Sequence, residues 1–145
     1  MSTQKVEYVV GFLFDARFER VVAIRKLKPA WQKGYFNGVG GKIEQDETPL
    51  QAMQREWTEE TGDFTLHAWR QFAHLSGEGF SLWCFAASGN IHYAHTTTAE
   101  DVVVLQVEDV RLRGSARTLP NLRWLVPMAI EALQPGGPFY DMVQT

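Results

Sequence analysis

The stretch GGKIEQDETPLQAMQREWTEETG, Gly40 to Gly62, holds the start and the stop of one helix. Thr48 is placed to cap its N-terminus, Pro49 suits the first helical position, and Gln51 closes a capping box. The helix should run to about Thr61 and end on Gly62, which can take the left-handed conformation of a C-terminal stop. Leu50, Met53 and Trp57 fall on one stripe and are expected to face a core. Glu56, Glu59 and Glu60, spaced i, i+3 and i+4, share another side about a turn apart. Three like charges there repel one another and oppose the negative end of the helix dipole. A solvated acidic face is one reading of them. The other is a hard divalent cation, since Mg²⁺ binds through one or two carboxylates, waters and substrate phosphates.

Outward from this helix the chain reads as strands. Val6 to Phe14 and Arg20 to Ile24 are β-branched and aromatic runs separated by a turn-sized polar interval. Lys26 to Gly41, punctuated by Pro29, Gly34, Asn37, Gly38, Gly40 and Gly41, reads as a loop that lets backbone approach a ligand. Past the helix, Phe64 to Leu75 and Phe80 to Ala87 flank a hairpin-type loop, Ser76 to Gly79, and Asp101 to Val107 is a further strand. Asn121 to Leu133 is apolar on most sides and is expected to be a helix buried against the sheet, with Pro127 near its first turn or at a kink. Pro135-Gly136-Gly137-Pro138 then ends it and leaves a short tail. Strands and helices mix without regular alternation, which argues for an α/β fold of the helix–sheet–helix sandwich type with a mixed sheet.

The 145 residues allow one domain, 1–145, and 45% hydrophobic content can form a core at that length. Fourteen Lys and Arg against seventeen Asp and Glu, net charge -3, disfavour a duplex nucleic acid partner but not a small phosphorylated ligand. The single cysteine, Cys84, lies in the apolar run SLWCFAA and reads as a core residue, which fits a reducing, cytoplasmic setting. No apolar stretch approaches a membrane span of roughly 20 residues. No small-residue cleavage site follows the apolar run at the amino terminus, which reads as the first strand.

The pattern G-x5-E-x7-R-E-U-x-E-E-x-G-U, with U a bulky aliphatic residue, is met by Gly41, Glu47, Arg55, Glu56, Trp57, Glu59, Glu60 and Gly62. This resembles the Nudix hydrolases of MutT type, with the box at 41–63. Trp57 stands where the family has an aliphatic residue, and Asp63 stands where one is expected after the final glycine. The resemblance implies the family's sandwich fold and hydrolysis of a diphosphate linked to another group. It implies Mg²⁺, with Mn²⁺ able to substitute, held by Glu56, Glu59, Glu60 and the carbonyl of Gly40. Glu47 would support metal or water, and Glu100, before the strand DVVVLQV, is a further candidate ligand. Arg55 would orient a carboxylate by bidentate hydrogen bonding, with Glu59 four residues on as its neighbour. The proton acceptor would be Glu56 or a carboxylate outside the box.

Specificity must come from elsewhere. YFNGVGGKIE, with Asn37 three residues before Gly40, is similar to the loop of members that hydrolyse purine nucleoside triphosphates. An amide offers a donor and an acceptor to a purine edge. Asn121 and Trp124, in PNLRWLVP, resemble the segment that brings a polar side chain and an aromatic ring to an oxidised purine. Their plainer readings are an N-cap and core packing. Gly41, Lys42 and Arg25, the last in a group with Lys26, Lys28 and Lys33, complete the candidate substrate contacts. The expectation is a pyrophosphohydrolase acting on a nucleoside triphosphate such as 8-oxo-dGTP, as a monomer or homodimer. Another nucleoside diphosphate derivative as substrate, or a non-catalytic nucleotide-binding module, are the alternatives.

Overall fold

A computed structural model describes residues 5–112 and 117–144. Among the described residues eight strands form one mixed sheet: β1 (Val6–Phe14), β2 (Arg20–Arg25), β3 (Phe36–Asn37), β4 (Val39–Lys42), β5 (Arg70–Gly77), β6 (Phe80–Ser88), β7 (Val102–Gln106) and β8 (Tyr140–Val143). The path runs β3-β2-β1-β6-β5-β8, with β4 paired to β1 and β7 to β2. The pairings β1·β6 and β5·β8 are parallel, the others antiparallel.

Helix α1 (Pro49–Thr61) lies on one face, and α2 (Val107–Arg111) and α3 (Leu122–Ala132) lie on the other. β1 therefore has to be apolar on both sides, as a strand sandwiched between layers must be. Val9 and Leu13 pack with Met53 and Trp57 of α1, while Val10, Phe12 and Phe14 pack with Leu122, Leu125 and Val126 of α3. At Gly11 a Cβ would sit 2.6 Å from the Met53 sulfur, so α1 rests directly on the strand backbone there. Cys84 is fully buried, as expected of a core thiol.

The capping box of α1 is complete, with the Gln51 amide N–H donating to Thr48 Oγ1 and Thr48 N–H to Gln51 Oε1. Gly62 ends the helix at φ 67. Leu50 departs from expectation. At 50% exposed it lies off the core stripe, which consists of Ala52, Met53, Trp57 and Thr61.

Four further differences follow from local turns and from strand pairing. The stretch 64–69 is not strand: Asp63 Oδ1 accepts from Thr65 N–H, and His67 and Trp69 each donate backward to the carbonyl two residues before. Those tight turns use up the groups that a strand would pair. The segment read as a loop before the box contains β3 and β4, because Tyr8 to Gly11 of β1 pair with Lys42 to Val39. The tail includes β8, which adds to β5 from Ala73↔Tyr140 to Ser76↔Val143. The expected strand Asp101 to Val107 shortens to β7, with Val107 opening α2 instead. Pro127 sits inside α3, where it has no N–H to donate to the carbonyl of Arg123.

Candidate active site

Helix α1 projects its carboxylates past the glycines of β4. A Cβ on Gly41 would meet Glu56 Oε1 at 2.5 Å, so only glycine lets this carboxylate stand against the backbone. Burial raises the pKa of Glu56, partly offset by Arg55. Burial pushes Glu60 up to about 7, and the charge of Glu56 adds to the rise against the pull of Lys26. Glu59 is more than half exposed.

Arg55 is the hub. Its Nε and Nη2 donate to the two oxygens of Glu47 at 2.7 and 2.9 Å, a bidentate fork. Nη1 donates to Glu56 at 2.9 Å and to Glu59 at 3.3 Å, and Nη2 also reaches the Lys42 carbonyl. The bidentate partner is thus Glu47 rather than Glu59, because the loop 44–47 folds back over the helix and Glu44 N–H fixes the same carboxylate.

Glu47 and Glu100, expected beside the metal, have both oxygens engaged by protein. Glu100 accepts from Lys26 Nζ at 3.1 Å and from the backbone N–H groups of Leu27 and Lys28. Among the described residues no three His, Cys, Asp or Glu side chains form a ready-made metal cage. Mg²⁺ takes few protein ligands and completes its shell with water and phosphate. The oxygen donors Glu56, Glu59 and Glu60 fit such a cation, whose charge would offset the cost of burying Glu56 and Glu60 in ionised form.

A cavity of about 700 Å³ is lined by Gly40 and Gly41 of β4 and by Leu119, Pro120 and Asn121. Asn37, Lys26, Lys28 and Trp31 also line it, whereas the carboxylates of α1 stand outside. Asn121 does not cap α3 with its side chain, and its Oδ1 is buried without a hydrogen-bond partner. Asn37 Oδ1 accepts from the Gly38 N–H at 2.8 Å.

Three expected substrate contacts lie elsewhere. Trp124 is 39% exposed and outside the cavity lining, so it is neither core nor base contact there. Arg25 lies over the Phe36 ring and pairs with Asp101, and the Lys42 side chain is solvent-exposed outside the lining. Lys26 and Lys28 take the place intended for Arg25. Trp31 had no motif to mark it; only its position upstream of the glycine-rich stretch was legible.

The NUDIX domain family model matches residues 5–139. The chain belongs to the Nudix family. Comparison with curated proteins yields no match. Among solved structures, this Nudix chain is similar to MutT from a study of the Aliivibrio salmonicida and Vibrio cholerae proteins, at 20% identity and TM-score 0.73 over 88% of this chain and 98% of that one. MutT of Bacillus halodurans matches at 18% identity and TM-score 0.70, covering 97% and 90% of the two chains. The Nudix domain of Shewanella oneidensis NrtR, solved with ADP-ribose, matches at 18% identity and TM-score 0.75, covering 92% and 91%. At these identities the likeness establishes a shared fold. No helix among the described residues is long and apolar enough to cross a membrane.

Proposed function

We propose that this Nudix protein is a divalent-cation-dependent pyrophosphohydrolase that converts a purine nucleoside triphosphate, with an oxidised purine preferred, to its monophosphate and pyrophosphate. The observation that carries the reading is a cavity lined by the Gly40–Gly41 backbone, Lys26, Lys28, Asn37 and Asn121, the Oδ1 of Asn121 being buried without a hydrogen-bond partner. A buried acceptor without a donor is costly, and a ligand N–H would satisfy it. An ordinary purine presents only an acceptor at N7, whereas an 8-oxo-purine carries a proton there, so such a group discriminates between them. Asn37, its oxygen engaged by Gly38, is left to offer its amide donors.

Glu56, Glu59 and Glu60 would hold the cation, with the Gly40 carbonyl as a further donor. When bound, the cation would lower the pKa of the attacking water and offset charge on the phosphates. Arg55 fixes Glu56 by its 2.9 Å hydrogen bond and partly offsets the rise in its pKa that burial causes. That makes Glu56 the residue placed to take the water's proton. Lys26 and Lys28, on the cavity wall, supply positive charge for a phosphate chain.

The test is product analysis with Mg²⁺ over normal and 8-oxo nucleoside triphosphates, with ADP-ribose and diadenosine polyphosphates alongside and Glu56→Gln as the blank. Conversion of 8-oxo-dGTP to monophosphate and pyrophosphate in preference to dGTP is expected. Cleavage of ADP-ribose or a dinucleotide with no triphosphate turned over would overturn the substrate assignment while keeping the hydrolase chemistry. Nucleotide binding without cleavage would make the protein a sensor module.

A further inference from the structure

We infer that Trp31 stacks on the base of the bound nucleotide and sets the affinity of this cavity for it. The inference rests on the reading above only in taking the cavity to hold a nucleoside. Trp31 is 68% exposed, while Trp57 and Trp69 are buried. It stands on a short 3₁₀ turn, Ala30–Gln32, and lines the cavity that Asn121 lines from the α3 side.

An indole left in water forgoes burial of a large apolar surface. Such a residue is expected to wander unless something holds it, and here the backbone that carries it is held throughout. Lys26 N–H donates to the Tyr35 carbonyl and Gly34 N–H to the Lys26 carbonyl, which closes the ends of the segment. Gln32, Lys33 and Tyr35 donate to carbonyls three residues back, and Leu27 and Lys28 donate to Glu100. A fixed backbone thus presents an uncovered ring at the wall of a cavity that has an unpaired amide oxygen. A flat heteroaromatic ligand would satisfy both: its face covers the indole and its edge donates to Asn121. Stacking reads the π-face of any base, so Trp31 supplies affinity and Asn121 supplies choice.

The experiment compares wild type with Trp31→Phe and Trp31→Leu, measuring KM and kcat separately for the best triphosphate, and binding of its α,β-methylene analogue by tryptophan fluorescence. Because Trp31 is exposed, both variants should melt within a few degrees of wild type, which thermal unfolding checks. Trp31→Leu is expected to raise KM roughly 5- to 150-fold, the range of one base stack, with kcat within about threefold. Trp31→Phe should recover most of the loss. The analogue should quench the emission of wild type, and Trp31→Phe should lose that quench. Unchanged KM and a retained quench in Trp31→Leu, in a protein that cleaves triphosphates, would overturn the stacking role and leave the proposed function standing. If wild type binds ADP-ribose instead of triphosphates, the substrate reading falls. A weakened ADP-ribose complex in Trp31→Leu would then still support the stack, and an unweakened one would overturn it. A wild type that binds no nucleotide overturns both.

Discussion

The indole Nε1–H of Trp57 donates to Asp63 Oδ2 at 3.1 Å, joining the two positions at which the box departs from the family pattern. Each substitution taken alone would be a liability: a buried indole N–H needs an acceptor, and a buried carboxylate needs donors. Together they satisfy one another. His67 Nε2 donates to the same oxygen at 2.7 Å, since an ionised carboxylate can only accept, and its ring packs edge-on against Trp57. Helix α1 is thereby tied at its C-terminal end to the turn that follows it.

Removing the carboxylate should therefore cost stability rather than chemistry. Asp63→Ala leaves the Trp57 N–H buried and unpaired, a penalty of about 1–3 kcal/mol, to which the lost His67 and Thr65 contacts add. Urea denaturation should register this loss, while kcat at a temperature where the variant is folded stays within about threefold. A fully stable Asp63→Ala would mean that the network contributes nothing.

The same carboxylate sets an acid limit. Burial alone would raise the Asp63 pKa, but hydrogen bonds from Thr65, His67 and Trp57 prevail and hold it down to about 2. Its folded pKa lies below the ordinary value, so its stabilisation is complete above about pH 4 and is lost as pH falls toward 2. Unfolding free energies of wild type measured from pH 6 down to pH 2 should fall more steeply over that window than those of Asp63→Ala. Parallel curves would contradict the assignment.

Arg55→Lys should act on catalysis more than its conservative charge suggests. Lysine cannot reproduce the fork to Glu47 while also reaching Glu56. We expect kcat to fall at least tenfold with the charge retained, read by steady-state kinetics at saturating Mg²⁺. Wild-type kcat would show that Arg55 acts as a charge alone.

Two adjacent glycines should separate fold from function. A Cβ at Gly40 would run into the backbone of Val9, whereas at Gly41 it meets only the end of the Glu56 side chain. Gly40→Ala is expected to unfold the protein or lower its melting temperature sharply. Gly41→Ala should leave melting nearly unchanged and cut turnover more than tenfold by displacing Glu56. Circular dichroism melts beside activity assays decide, and equal melting losses for the two would be wrong for this geometry.

Glu100 offers the remaining contrast. With its oxygens on Lys26 and on the Leu27 and Lys28 amides, Glu100→Ala should loosen the segment that carries Trp31 and raise KM for nucleotide. Mn²⁺ affinity measured by electron paramagnetic resonance should change little. A loss of Mn²⁺ binding with KM preserved would restore Glu100 to the metal.

Much of this was legible in one stretch of sequence, because a capped helix with i, i+3, i+4 carboxylates is a local pattern and Thr48, Gln51 and Gly62 fix its frame without help from the rest of the chain. What the sequence hid was non-local. β8 is recognisable only by its partner β5, and Val39 to Lys42 is a strand only because β1 lies beside it. Leu50, in the first turn of α1, is half exposed, while the buried side of the helix is made by Ala52, Met53, Trp57 and Thr61. At the site, residue types marked Arg55, Glu56 and the two asparagines. Which acids Arg55 and Lys26 would capture, and that Trp31 rather than Trp124 would reach the cavity, depended on loop paths that no periodicity encodes.

The parallel pairing of β1 with β6, from Val6↔Phe80 to Phe14↔Ser88, also dictates an order of assembly. During synthesis the first strand emerges long before its neighbour exists, apolar on both faces and with that edge open. Only hairpin-like partners close in sequence, such as β2, are within early reach. Non-local pairings of this kind fold slowly, so the centre of the sheet closes only once Ser88 has been made, whereas the carboxylate helix finds the strands it packs on, β1 and β4, already synthesised ahead of it.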